Sequence, residues 1–190
     1  MTSIRTPGVL RATAPARGAD AFPRWCWTAV AATAAAGLLH LFAAVDHVGA
    51  SELVVGFFGG MALAQLAAAV WLAVMAGTRE RPGVVVLSAM WAAAVGLVCL
   101  YLVAHGTDLL AGLAAGPDGA AHGHGGGTAG AVAAGIEPPG LLGTVTVAAE
   151  LLAVVAFTAL LPPRWRRLAG NVVLALGGAA WVLWLTGVLG

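Results

Sequence analysis

Apolar residues fill five long runs of the chain, separated by short polar turns and one glycine-rich stretch. The runs extend approximately from Trp25 to Val45, Leu53 to Ala76, Val84 to Ala104, Leu141 to Leu161 and Leu168 to Leu189. Each is rich in Ala, Leu and Val, nearly free of charge, and reaches the roughly 20 residues a helix needs to cross a hydrocarbon core. Helices are the open-ended elements that satisfy their own backbone in lipid. The pattern therefore predicts an all-α fold, a transmembrane bundle of five helices.

The connections refine this picture. The turn from Asp46 to Glu52 is short enough to be a hairpin between antiparallel neighbours. Gly56, Gly59 and Gly60 follow it, a small-residue pattern that lets helix backbones approach closely and predicts tight packing of the first two helices. Thr78 to Gly83 forms the next loop, with Pro82 opening the third helix, where no donor is needed. Residues 109–136 are mostly Gly and Ala around His122 and His124, and are expected to form a flexible external loop. Residues 1–24 hold three prolines and four arginines without apolar periodicity and are expected to be a disordered cytoplasmic tail. A single five-helix domain, residues 25–190, accounts for the remainder.

Composition agrees: 61% of the 190 residues are hydrophobic and 9% charged, with a mean hydropathy of +0.94. A water-soluble domain of this size cannot hide that much apolar surface, so the lipid bilayer is the expected partner. The small net charge of +1 gives no basic surface for nucleic acid. All nine basic residues are arginines, and they precede the first span or lie between the second and third or the fourth and fifth. An excess of basic residues marks cytoplasmic loops, which predicts an N-terminus inside, a C-terminus outside and a bacterial plasma membrane. Val48-Gly49-Ala50 passes loosely as a signal-peptide cleavage site, but the long leading region and long apolar run favour a retained anchor. Cys26 and Cys99 lie ~20 Å apart in depth by helical rise, too far for a disulfide.

Two ionisable residues fall deep within spans, His40 in the first and Glu150 in the fourth. Intramembrane ionisable groups are costly and usually pair. His40 lies seven residues, ~10 Å, below His47 by helical rise, and Glu150 lies nine residues, ~14 Å, below Leu141. The two share a level, which predicts a His40–Glu150 contact, with Gln65 at similar depth. Asp46, His47, Glu52, His105, Asp108 and Glu137 lie above them at helix ends or beside turns. His40, His47, Glu150, Asp46, His105 and Asp108 form the candidate metal-ligand set, because imidazole and carboxylate together suit Cu, Zn, Ni or Fe. Acids at helix ends also cap first turns or are solvated, an alternative that stays open for Asp46, Glu52, Asp108 and Glu137.

The run His40, Asp46-His47, Glu52, Gly56-Phe57-Phe58 and Gln65, followed by Glu137-Pro138-Pro139-Gly140 and Glu150, resembles a group of small multi-pass membrane proteins common in actinobacteria. The resemblance covers roughly residues 35–160 and implies origin and topology, and no activity. The absence of lysine and the heavy use of Ala, Gly and Arg fit a high-GC genome. His105 and Asp108 depart from the group's pattern, which expects Arg or Ser there.

The leading functional expectation is a site in the external half of the bundle that binds a transition-metal ion without catalysis. The alternatives are a proton- or ion-coupled transport subunit and a structural membrane subunit, either of them in a homo-oligomer or beside another membrane subunit. Nothing in the chain resembles an activated nucleophile or a phosphate cradle, so enzymatic activity is the least favoured reading.

Overall fold

The computed structural model describes residues 21–48, 52–107 and 140–189. Within them the chain forms five helices: α1 (Ala21–Asp46), α2 (Glu52–Thr78), α3 (Val84–Gly106), α4 (Leu141–Leu160) and α5 (Pro163–Leu185). All five are long and apolar enough to cross a membrane. Residues 1–20, the segment 109–136 with His122 and His124, and Asp108 and Glu137 lie outside the described residues.

Helix ends depart from the expected spans for local reasons. α1 starts at Ala21, four residues early, because Pro23 falls in its first turn, where a missing N–H costs nothing. α5 starts at Pro163 and not Leu168, with proline at its first position. Arg164, Arg166 and Arg167 thus belong to the opening turns of α5 and not to a loop. At its other end α5 stops at Leu185, short of Leu189, where Gly187 adopts φ 73° and its N–H bonds the Trp184 carbonyl at 3.1 Å. Left-handed glycine is a common helix stop.

α1 and α4 organise the bundle. α1 packs along α2 and α4, and α4 also meets α3 and α5. The α1 face that does this is made of Cys26, Ala29, Ala32, Ala36 and Ala44, all buried. The expectation of tight α1–α2 packing holds, but the glycines named for it do not produce it. A Cβ added at Gly56, Gly59 or Gly60 would meet nothing within 4 Å. The close approach comes from α1 instead, where a Cβ on Gly37 would lie 3.0 Å from Leu66 Cγ and 3.2 Å from Gln65 Cβ.

The arginine-bearing end of the bundle holds a buried apolar core. Ala29, Ala32, Leu72, Ala153, Ala156 and Phe157 form one buried cluster there, continued by Leu87, Leu161 and Ala169. Trp91 Nε1 donates to Thr158 Oγ1 at 3.0 Å, tying α3 to α4 beside this core. α5 contributes only Ala169 as a buried residue, so most of its surface is left for other apolar surroundings.

Candidate functional site: a buried His–Gln–Glu cluster

His40, Gln65 and Glu150 meet between α1, α2 and α4, at 5%, 9% and 3% exposure. Their hydrogen bonds form one chain whose direction can be worked out from its fixed end. His40 Nδ1 lies 3.0 Å from the Ala36 carbonyl oxygen, which can only accept, so Nδ1 carries the hydrogen. The same N–H reaches Gln65 Oε1 at 2.9 Å. Gln65 must then present its amide nitrogen on the other side, and Nε2 donates to Glu150 Oε1. His40 Nδ1 and Glu150 Oε1 stand 3.9 Å apart. The predicted His40–Glu150 pairing is therefore present, with Gln65 bridging it.

Helix geometry explains the placement. His40 lies on the same α1 stripe as Thr33, Ala36 and Ala44, which are also buried, and Gln65 occupies an α2 stripe with Ala62, Ala69 and Leu72. Glu150 opens the α4 stripe of Ala153, Val154 and Phe157. Each polar side chain thus replaces one apolar member of a core-facing row. Gln65 had only its depth to mark it in the sequence, and its bridging role depends on which faces of α1, α2 and α4 converge. Thr33 Oγ1 is buried with no hydrogen-bond partner among the described residues, as are Ser88 Oγ and Tyr101 Oη. Nothing in the residue pattern singles these three out.

The remaining candidate ligands do not join the cluster. His47 donates Nδ1–H to the Ala43 carbonyl at 2.8 Å. The Phe58 ring lies 5.2 Å from the His47 ring and 5.9 Å from the His40 ring, so a benzene ring contacts both imidazoles. His105 is exposed, bonds the Tyr101 carbonyl at 3.2 Å and stacks on the Tyr101 ring at 4.1 Å. Asp46 and Glu52 are exposed at the helix ends. Asp108 falls outside the described residues.

The metal-site expectation is overturned by this arrangement. Among the described residues no group of three or more His, Cys, Asp or Glu side chains converges to hold a metal ion. His40 and Glu150 supply two donors, and Gln65 occupies the space between them through hydrogen bonds in which both its amide atoms are used. Cu, Zn, Ni and Fe sites ordinarily take three or more protein ligands in defined geometry. A transition-metal cofactor at His40, His47, Asp46, His105 and Glu150 is accordingly withdrawn.

Fold and site together define a multi-pass, all-helical membrane protein with a polar cluster in its interior. Comparison with known protein families, with curated proteins and with solved structures finds no match in any of the three. The likeness to actinobacterial membrane proteins gains no support from them.

Proposed function

We propose that this is a membrane protein whose His40–Gln65–Glu150 cluster holds one exchangeable proton and, through it, fastens α1, α2 and α4. The observation that carries the reading is the continuous hydrogen-bond chain from the Ala36 carbonyl to the Glu150 carboxyl. A lone charge within a bundle costs several kcal/mol on translocon-based scales, about 3 at a helix centre. Neutral His40 with protonated Glu150 and imidazolium with carboxylate both leave the pair with no net charge. Each state contains one titratable proton, and the pair retains it in either form. Gln65 donates to one partner and accepts from the other, keeping the two groups aligned.

The cluster's surroundings favour exchange with one side only. Toward the arginine end, the buried Ala29, Ala32, Leu72, Ala153, Ala156 and Phe157 are apolar, and the buried Thr33 hydroxyl on the α1 stripe lies two turns, ~10 Å by helical rise, from His40, beyond hydrogen-bond reach. This supports a proton-holding site and argues against a through-going transport path. The gathering of arginines at this end supports its reading as the side facing a bacterial cytoplasm, with the N-terminus inside and the C-terminus outside. Exchange would then be with the external side.

Glu150→Gln separates proton holding from fastening alone. Glutamine retains an oxygen that accepts from Gln65 Nε2 while removing the titrating group. Infrared difference spectra of lipid-reconstituted protein between H2O and D2O should contain a carboxylic-acid band that Glu150→Gln abolishes. Identical spectra from both proteins would defeat proton holding and leave a purely structural cluster. Proteoliposomes under a pH gradient should be no leakier to protons than empty vesicles.

A further inference from the structure

A second feature lies at the opposite end of the bundle from the histidines. A cavity of about 910 Å³ opens where α1, α3, α4 and α5 meet, near the upper end of the roughly 300–1,000 Å³ usual for small-molecule sites. Its walls are mostly apolar, including Trp25, Leu87, Val155, Val173 and Leu174, and Arg81 and Arg166 also line it. Among the described residues no carboxylate lines it. Val155 and Leu174 are 52% and 75% exposed, so the apolar wall is open along the helix flanks where acyl chains would run.

The two arginines keep donors to spare. Arg81 sits with its Cζ 5.2 Å from the centre of the Phe22 ring, a cation–π contact that uses none of its N–H donors as hydrogen bonds to described residues. Arg166 uses Nη2 for the Ala159 and Leu161 carbonyls, at 2.9 and 3.2 Å, and its other nitrogens are not engaged by described residues. Of the helices that start beside the cavity, α3 and α5 have no side-chain cap on the first turn: α3 begins after Gly83 and α5 after Pro162. Their free amides add positive potential at the same level.

We propose that this groove binds an anionic glycerophospholipid, its phosphate between Arg81 and Arg166 and an acyl chain along α4 and α5. Charge complementarity selects this occupant. The leading segment of the chain, residues 1–20, contains Arg5, Arg11 and Arg17 against a single Asp20, and its positive charge suits a doubly arginine-lined groove poorly. A zwitterionic lipid would bring its own ammonium to the arginines, whereas phosphatidylglycerol brings only negative charge.

The test is native mass spectrometry of the full chain in mild detergent with equimolar phosphatidylglycerol and phosphatidylcholine of matched chains. The wild type should retain one phosphatidylglycerol with about tenfold preference, because phosphatidylcholine offers the same phosphate but brings an ammonium into repulsion with two arginines. Arg81→Gln, which leaves the Arg166 bonds to α4 intact, should cut the preference several-fold. Gly170→Leu offers a check that does not touch charge. Gly170 lines the cavity, and a Cβ there would meet nothing within 4 Å, so a leucine enters the groove from an open position and should reduce retention of both lipids. Equal retention of the two lipids by the wild type overturns the proposal, as does an unchanged preference in Arg81→Gln. Exclusion of both lipids from a dimeric wild type overturns it in favour of a second copy of the chain.

Discussion

Gly37→Ala probes the contact that holds the cluster together. The added methyl would sit 3.0 Å from Leu66 Cγ, 3.2 Å from Leu66 Cδ2 and 3.2 Å from Gln65 Cβ. Leu66 can relieve part of this by rotation, but Gln65 Cβ is attached directly to the α2 backbone. The helices must therefore separate by a few tenths of an ångström, and that motion lengthens the 2.9 Å His40–Gln65 bond. Overpacking costs about 1–3 kcal/mol, and weakening one buried intrahelix-bundle hydrogen bond costs up to about 1 kcal/mol. Against these, alanine is a better helix former than glycine by about 1 kcal/mol. The net expectation is a loss of about 1–2 kcal/mol. Gly96→Ala is the matched control in α3, because its Cβ would meet nothing within 4 Å, and it should gain stability. The assay is reversible unfolding of detergent-solubilised protein by added dodecyl sulfate, followed by far-UV circular dichroism. If Gly37→Ala proved as stable as Gly96→Ala, the α1–α2 contact described here would be wrong. Adding Leu66→Ala to Gly37→Ala should recover part of the loss, giving a coupling of about 0.5–1 kcal/mol for residues in contact.

Other expectations follow from single contacts and are checked by the same unfolding assay. Glu150→Leu should destabilise by about 1–3 kcal/mol, because it strands the buried Gln65 Nε2 donor, whereas Glu150→Gln should remain within 1 kcal/mol of wild type by keeping an acceptor there, about the worth of one hydrogen bond. Thr158→Val should cost about 1 kcal/mol through loss of the acceptor for Trp91 Nε1, and a blue shift of Trp91 emission, read against Trp91→Phe, would report its less polar surroundings. Arg79→Gly should stabilise by about 1 kcal/mol, since Arg79 follows the last residue of α2 with φ 58°, a left-handed conformation that glycine adopts without penalty. No gain in that variant would mean that arginine's side chain compensates for the backbone.

Depth was legible in the sequence because helical rise is fixed. Counting inward from the turns put His40 and Glu150 on one level, and the structure joins them through Gln65 at that level. The five spans were legible for an equally simple reason, since residue transfer into lipid depends on composition and length and needs no knowledge of neighbours.

Azimuth was not legible, and the errors arise there. His47 shares a face with His40 at two-turn spacing, which suggested joint ligation. Phe58 of α2 packs against both rings, a contact that depends on how α2 is rotated. The Gly56, Gly59 and Gly60 cluster suggested the site of close approach, yet the rotation of α2 turns those glycines away and gives the contact to Gly37. The boundary of α5 moved because proline at a first position is compatible with a helix, while apolar counting begins only after the arginines. Chain order, length and apolarity thus determined the class of protein, the spans and the level of the polar residues. The rotation of each helix, set by the mutual packing of small side chains on α1 and α4, decided which of those residues meet, and only the tertiary structure contains it.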